Sequence, residues 1–466
     1  MMSHDTAVDP PSSVHPAPRQ TISQAVDAMP KVGLTFGAGF ALFLAYFFTN
    51  YEISVFALTI PGIRDSLGLE AGDFGLPVTF NLIGYAIGAY AFGYLADKRG
   101  RQLGLVLTFI TLGVGGLATA FVWDAASLSF FRFVAGCGMG AVLALCTAYI
   151  GEMAPQNRRG QYLARLYLLG GFLLLATGLL SLLVLQALPD AGWRLLLGFG
   201  GLVLIVVPFI NSRALMESPR WLAERGRIAE ASGIVRRLQR NAGMPAEARN
   251  DDFAEEDRPA AEVQAESPLR SLLRPPLLGR LLIVLGFWFV FYIGMYAFSS
   301  YLPLILEGLG VSTSNALVIT VLTRATPILA AVVVVLLIER LERRTIVIGG
   351  VLIFAAAVGL IISGLGEGAA TAGALLATFG IAVMATPAYT YTAEVFPTKS
   401  RGTAASICDG IGHLGGAVAP FVVLPILVTY GSVPAGVAII VAVVLSACII
   451  AFGVRTRNRS LEEIAG

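Results

Sequence analysis

The chain has 466 residues, of which 56% are hydrophobic and only 13% charged, against roughly 25% charged in soluble globular proteins. This composition excludes an ordinary soluble domain and predicts an all-α membrane protein. The net charge of +2 at pH 7 gives no reason to expect nucleic acid as a partner, so the informative feature is where the charges fall.

The chain opens on a segment rich in Pro, Ser and Ala, residues 1–32, which we predict to be a disordered tail rather than a signal peptide. Apolar runs of about 20 residues then recur, each long enough to cross a ~30 Å hydrocarbon core as a helix. Twelve spans are predicted: 33–61, 76–96, 103–122, 125–150, 163–187, 193–210, 279–306, 314–338, 345–364, 369–393, 404–428 and 432–454.

Six spans fall on each side of a long polar interruption. The sequence therefore predicts an N-terminal bundle at 33–210, a linker at 211–278, a C-terminal bundle at 279–454 and a short tail at 455–466. Within the linker, the spacing of apolar residues predicts short surface helices near 221–224 and 228–238, followed by a mobile acidic stretch at 241–268.

The positions of Lys and Arg predict the orientation, because cytoplasmic loops near membrane spans retain positive charge. With the N-terminus inside, 28 of the 32 basic residues lie on the cytoplasmic side. We therefore expect both termini to be cytoplasmic. The expected location is the plasma membrane, or the inner membrane in a Gram-negative bacterium, with lipid as surroundings and the protein as a monomer.

The chain carries the same landmarks twice, 242 residues apart and without a gap. The recurring positions include a helix-end proline, a glycine and an acidic residue: Pro61 with Pro303, Gly68 with Gly310, and Glu152 with Glu394. An ungapped match over about 100 residues indicates two copies of one six-helix unit.

The segment Gly93–Gln102 (GYLADKRGRQ) resembles the signature loop between the second and third spans of the major facilitator superfamily. The segments Glu217–Leu222 (ESPRWL) and Tyr391–Thr398 (YTAEVFPT) are similar to the sugar porters and to the organic-ion and nicotinate-type carriers of that superfamily. The resemblance covers roughly residues 35–455. It implies two six-helix bundles, a substrate site between them at mid-membrane, and alternating access by rocking of the bundles.

In such carriers, charges at the cytoplasmic helix ends form a latch. The resemblance assigns to it four residues from each copy: Asp97, Arg101, Glu152 and Arg159, and Glu339, Arg343, Glu394 and Arg401. The alternative is that these charges only set the topology. Carboxylates at the helix ends argue against it, because topology requires only Lys and Arg.

Glu52 and Arg132 are the predicted proton-coupling pair. At 1.5 Å per residue, both lie ~12–14 Å deep from the same membrane face, so an ion pair can form. In proton-coupled sugar porters, an Asp of the first span and an Arg of the fourth occupy matching places. The alternative is a static structural pair.

Six residues of the second copy are the predicted substrate site: Arg324, Asp409, His413, Tyr292, Tyr296 and Tyr389. Aromatic walls with hydroxyl tips suit a flat organic molecule, and Arg324 offers a fixed positive charge to an anion. His413 stands where organic-ion carriers tend to have Asp for cations or Arg for anions. Packing or a self-satisfied His413–Asp409 pair remains the alternative.

The sequence thus predicts a secondary active transporter, most simply a proton-coupled importer of a small organic acid or aromatic metabolite. Its partners are the substrate and protons. A sugar:proton symporter and a drug:proton antiporter are the alternative carriers. A nutrient receptor that keeps the carrier fold and signals through the 211–278 loop is the alternative of a different functional class. The four cysteines lie in apolar spans, and two of the three histidines lie in the tail. We therefore expect no metal site, no cofactor and no enzyme activity.

Overall fold

The computed structural model describes residues 20–155, 159–207, 215–244, 253–254, 268–338 and 340–456. Within these ranges the chain is almost entirely helical, and ten helices are long and apolar enough to cross a membrane. Two further apolar helices occupy the fifth and sixth places of the predicted series.

The membrane helices are numbered α1 to α12. The first half comprises α1 Phe36–Leu67, α2 Gly75–Arg99, α3 Arg101–Thr119, α4 Ala125–Met153, α5 Arg159–Ala187, and α6 Gly192–Phe199 with its 3₁₀ continuation Gly200–Val206. The second half comprises α7 Leu277–Gly308, α8 Thr313–Leu337, α9 Arg343–Ile361, α10 Glu367–Glu394, α11 Thr398–Tyr430 and α12 Ser432–Ala451.

Two helices contain the repeated prolines and extend beyond their predicted ends. Helix α1 was predicted to end at Pro61 and continues to Leu67, and α7 was predicted to end at Leu306 and continues through Pro303 to Gly308. Proline is tolerated inside membrane helices because neighbouring groups satisfy the freed backbone. The actual stops are the repeated glycines, since Gly68 and Gly310 adopt φ of 64° and 88°, a region that favours glycine.

Helix α8 is interrupted by a 3₁₀ turn at Thr323–Ala325, where the sequence predicted one continuous span. The turn between α2 and α3 also differs from its counterpart in the second half. Gly100 has φ 119°, whereas Glu342, at the equivalent position, has an ordinary φ of −62° and ψ of 132°. The second copy therefore has an ordinary extended backbone at the position where the first copy has this glycine.

Short helices at one end of the bundle come from outside the spans. Helices Pro219–Glu224 and Ile228–Asn241 follow the first half, and helix Ile22–Asp27 packs against the second of these. Residues 22–27 thus differ from the disordered tail predicted there, because a Thr21–Gln24 capping box starts the helix and its apolar side is buried. The predicted mobile stretch 241–268 lies mostly outside the described residues.

The remaining described elements are small. A helix, Pro268–Leu272, precedes α7, and the two-residue strands Gln20–Thr21 and Phe253–Ala254 pair in parallel. They connect the segment before α1 to the linker.

Helices α2 and α4 pack backbone against backbone. Gly84 and Gly88 of α2 face α4, and Gly136 and Gly140 of α4 face α2. A Cβ atom at any of the four would lie 1.8–2.3 Å from a carbonyl oxygen of the opposite helix. Small residues allow such close approach in membrane bundles, so these two helices form one tightly packed unit.

The two halves contact each other at the helix ends on the predicted outer side, which is the side far from residues 20 and 456. Arg64 Nη1 of α1 lies 3.0 Å from Glu307 Oε2 of α7. Thr79 of α2 donates to the Ala417 carbonyl of α11 at 2.9 Å. Gly178 of α5 lies against Val321 of α8. Contacts at three helix pairs therefore close this side.

Replacement of Gly88 by Ala tests the α2–α4 packing. The added Cβ would lie 1.8 Å from the Cys137 carbonyl oxygen, so the helices must separate at a cost of roughly 1–3 kcal/mol. We expect a lower midpoint of thermal unfolding in detergent. Gly93→Ala on the same helix is the control, because no atom lies within 4 Å of its added Cβ. Equal midpoints for the two variants would contradict the close packing.

Candidate functional site

The predicted coupling residues form an ion pair inside the first half. Arg132 Nη1 of α4 donates to Glu52 Oε2 of α1 at 3.2 Å, and the two side chains are only 3% and 1% exposed. The guanidinium carbon also lies 4.2 Å from the centroid of the Phe56 ring, one turn after Glu52. The helices therefore bring both residues to the same depth, and their role in coupling stays a prediction.

The pair leaves part of its hydrogen-bonding capacity unused. Within the described residues, Glu52 Oε1 and Arg132 Nε are buried without a hydrogen-bond partner. Oε1 occupies a space left by two glycines, since a Cβ at Gly116 of α3 or Gly200 after α6 would lie 2.4 or 2.0 Å from it. An unsatisfied buried polar atom costs about 1–3 kcal/mol, so this arrangement is not explained by stability alone.

Five of the predicted substrate residues lie together in the second half. Tyr292 of α7 and Tyr389 of α10 share a hydroxyl hydrogen bond of 2.9 Å, and Tyr389 donates to Asp409 Oδ1 at 3.1 Å. His413 Nδ1 donates to the Asp409 carbonyl at 2.7 Å, and its ring lies 4.6 Å and 5.9 Å from those of Tyr292 and Tyr296. We call these five residues the aromatic cluster.

Two further aromatic residues contact this cluster, and neither is among the six predicted substrate residues. Tyr85 of α2 stacks on His413 with centroids 4.4 Å apart and planes 12° apart. Trp288 of α7 lies 4.7 Å from the Tyr389 ring and donates from Nε1 to Thr392 at 3.0 Å. Trp288 lies one helical turn before Tyr292 on α7. No sequence pattern indicates that α2 meets α11 at Tyr85.

Arg324 lies apart from the aromatic cluster. It occupies the 3₁₀ turn that interrupts α8, and this turn packs against α5 of the first half. Its Nε is buried, and within the described part of the chain Arg324 forms no hydrogen bond or ion pair. The structure therefore does not bring Arg324 into contact with His413, and it leaves the guanidinium without a described carboxylate.

Three predicted latch residues of the first copy meet at the predicted cytoplasmic side. Arg101 at the start of α3 lies 2.9 Å from Glu152 of α4 and also pairs with Asp97 of α2. The side chain of Arg159 lies outside the described residues. The linker helix joins this network, because Trp221 Nε1 donates to the Asp97 carbonyl at 2.9 Å.

Glu217, just before that linker helix, caps α3. It accepts hydrogen bonds from the backbone N–H groups of Arg101 at 2.9 Å and Gln102 at 3.3 Å, which an α-helix start leaves without internal partners. Burial raises the pKa of the Glu217 carboxyl above its ordinary value, although these N–H donors and that of Ser218 oppose the shift. The linker is thereby fastened to the first half.

The second copy contains an equivalent pair. Arg343 Nε of α9 lies 3.3 Å from Glu394 Oε1 of α10, which matches Arg101 and Glu152 after a shift of 242 residues. Arg401 is half-buried near the start of α11, and Glu339 lies outside the described residues. Each pair joins helices of its own half, and the latch role stays a prediction.

Comparison with known proteins places this geometry in context. The family described as "Sugar (and other) transporter" matches residues 64–466. The chain is 27% identical over 402 residues to the putative metabolite transport protein YyaJ of Bacillus subtilis, covering 85% of this chain and 87% of that protein. It is 28% identical over 428 residues to the niacin transporter NiaP of Acinetobacter baylyi, covering 90% and 94%.

The fold is also similar to solved structures. The xylose transporter XylE from E. coli, in a partially occluded inward open conformation, superposes with a TM-score of 0.71 at 19% identity, covering 91% of this chain and 99% of that one. These matches are transporters and not enzymes. The protein is therefore a multi-pass membrane transporter with the major facilitator fold, and it belongs to the sugar (and other) transporter family.

Proposed function

We propose that the protein is a proton-coupled importer of a small organic acid or aromatic metabolite, working by alternating access. The observation that carries the substrate class is Arg324, a guanidinium at the interrupted centre of a membrane helix with no described carboxylate partner. An unpaired positive charge is costly there unless it serves an anionic ligand.

The aromatic cluster supports the same substrate class. Its tyrosine and histidine rings offer flat apolar faces, and its hydroxyl groups form a hydrogen-bonded chain that ends on Asp409. A flat ring can stack on such faces while a carboxylate is bound by a guanidinium. The name of the niacin transporter points to the same chemistry, since niacin is an aromatic carboxylic acid.

The Glu52–Arg132 pair supports proton coupling. The unpartnered Glu52 Oε1 offers a position for a proton, and Arg132 stabilises the carboxylate while the pair is intact. A conformational change that separates the pair would favour proton uptake by Glu52. Binding and release of the proton would then follow the rocking of the halves.

A sugar:proton symporter is the second candidate. The family description and the xylose transporter fold favour it. Against it, α7 carries neither Asn nor Gln over 279–306, where a sugar needs directional hydrogen bonds for its hydroxyl groups. The binding measurements below separate the two candidates.

Contacts between the halves support an inward-facing arrangement. Arg64–Glu307 and Thr79–Ala417 join the halves on the predicted outer side. The pairs Arg101–Glu152 and Arg343–Glu394, on the predicted cytoplasmic side, each stay within one half. Opening of the outer side requires that Arg64 and Glu307 separate.

Replacement of Glu52 by Gln tests proton coupling. In proteoliposomes that contain the purified protein, we expect Glu52→Gln to abolish accumulation of radiolabelled nicotinate driven by an inward proton gradient and to retain counterflow exchange. Asp190→Asn, an exposed carboxylate between α5 and α6, is the matched control. Accumulation by Glu52→Gln at the unaltered rate would remove Glu52 from the coupling step.

Replacement of Arg324 by Gln tests the anion site. A charge-assisted hydrogen bond contributes about 1.5–3 kcal/mol, so we expect nicotinate binding to weaken by about 10- to 150-fold, with partial recovery in Arg324→Lys. Nicotinamide, which has the same ring without the charge, should show no such loss. Binding of xylose alone, insensitive to Arg324→Gln, would favour the sugar candidate.

Charge reversal tests the outer contact. Leu424→Cys, beside Gly75 at the α2–α11 interface, reports opening of this side by its rate of reaction with a membrane-impermeant maleimide, in a background without the four native cysteines. Partly exposed ion pairs contribute about 0.2–1 kcal/mol, so Arg64→Glu should raise the rate by about 1.4- to fivefold. Addition of Glu307→Arg should restore it. A rate that neither change alters would contradict the role of this pair.

A further inference from the structure

The coupling pair and the aromatic cluster lie in different halves, but a continuous set of contacts joins them. The first contact is a hydrogen bond of 2.8 Å from Asn81 Nδ2 of α2 to the backbone carbonyl of Arg132. Asn81 is buried, and its amide also lies 3.7 Å from the Met139 sulfur. Arg132 is thereby tied to α2 through its backbone while its guanidinium is tied to Glu52.

The second element is the close packing of α2 on α4. Asn81 and Tyr85 both belong to this packing, because the Asn81 carbonyl faces Gly136 and the Tyr85 carbonyl faces Gly140. Backbones packed this closely cannot slide past each other without a steric clash. A displacement of α4 at Arg132 must therefore carry α2 with it.

The third contact is the Tyr85–His413 stack, one helical turn after Asn81. It belongs to an antiparallel register between α2 and α11 in which Gly75 meets Leu424 and Thr79 meets the Ala417 carbonyl. Of these three contacts, the Tyr85 ring reaches furthest from the outer side, and it lies directly on the aromatic cluster.

We propose that Tyr85 is the positioning residue that couples the Glu52–Arg132 pair in one half to the aromatic cluster in the other. The inference rests on the proposed proton-coupled function. Breakage of the Glu52–Arg132 pair frees α4 to move, the packed α2 moves with it, and Tyr85 shifts on the ring of His413. Because His413 is held by Asp409, the shift reaches the Asp409–Tyr389–Tyr292 hydrogen bonds.

The polar groups around His413 make the cluster sensitive to such a shift. Tyr85 of α2 and Tyr292 of α7 contact the ring, and Tyr296 lies within 6 Å. Asp409 lies one turn earlier on α11, with Oδ1 3.7 Å from His413 Nδ1, and Tyr389 of α10 donates to the same oxygen. A moved ring changes which of these groups the substrate can reach.

The test compares Tyr85→Leu with Tyr85→Phe in proteoliposomes. Tyr85→Leu removes the aromatic ring, and Tyr85→Phe retains it without the hydroxyl. We expect Tyr85→Leu to lose at least tenfold in proton-driven nicotinate accumulation while its nicotinate KM in counterflow changes less than threefold. Tyr85→Phe should accumulate nicotinate like the unaltered protein. Tyr90→Leu, the same change at a 77% exposed position of α2, is the matched control.

Three outcomes decide the inference. Equal losses of accumulation and of counterflow affinity in Tyr85→Leu would make Tyr85 a wall of the substrate site and would overturn the coupling role. Unaltered accumulation in Tyr85→Leu would also overturn it. In the double variant with Glu52→Gln, the pH dependence of nicotinate binding should equal that of Glu52→Gln alone, because both changes interrupt one step; a further reduction of the pH dependence would overturn the coupling role. Glu52→Gln alone separates the two proposals, since unaltered accumulation in that variant removes the proposed function itself.

Direct binding gives a readout that does not depend on proton coupling. Nicotinate binding to the detergent-solubilised protein, followed by the tryptophan fluorescence to which Trp288 contributes, should depend on pH in the unaltered protein and in Tyr85→Phe. The pH dependence should be reduced in Tyr85→Leu, because Glu52 no longer influences the aromatic cluster. The same pH dependence in all three proteins would overturn the inference.

Discussion

An ionised side chain in the centre of a membrane helix costs about 2.5–3.5 kcal/mol on insertion scales, unless it meets a partner or water. This constraint organises the interior of the protein. Glu52 and Arg132 meet it by pairing with each other, with exposures of 1% and 3%. Arg324 does not meet it with any described carboxylate. In the proposed function, the first arrangement binds a proton and the second binds an anion.

Two charged side chains can pair only if the helices that carry them are held in fixed relative positions. The two halves hold their equivalent helices together by different contacts. In the first half, Gly84 and Gly136 lie at the direct backbone contact between α2 and α4. The equivalent positions in the second half, 242 residues later, are Thr326 of α8 and Thr378 of α10. Their hydroxyl groups form a hydrogen bond of 2.9 Å between the two helices. The first half thus has the tighter helix pair, and that pair carries Arg132 and Tyr85.

Sequence alone predicts much of this architecture, because spans and repeats are local patterns. The depth of Glu52 and Arg132 follows from counting along single helices, and His413 and Asp409 share a face one turn apart. Features that depend on another helix were missed. Nothing near Tyr85 specifies that α11 faces it. The interruption of α8 at Thr323–Ala325 has a local signal that the prediction did not use, because Pro327 lies in the first turn of the segment that follows. The end of α1 was placed at Pro61, although Gly68 beyond it provides the left-handed residue that ends the helix.

The repeat explains why one half carries the acidic residue. Glu52 has its carboxylate against Gly116 and Gly200, where no side chain competes for the space. In the second half, the residues equivalent to Glu52, Gly116 and Gly200 are Gly294, Val358 and Ala442. The second half therefore has a glycine where the first has the long side chain, and side chains where the first has glycines.

A Cβ at Gly294 would lie 2.5 Å from Val443 and 3.7 Å from Ala442, which leaves no room for a carboxylate. At this layer, only the first half carries a titratable group, Glu52. Because the aromatic cluster belongs to the second half, any coupling between them must cross an interface between halves, and the Tyr85–His413 stack lies at such a crossing.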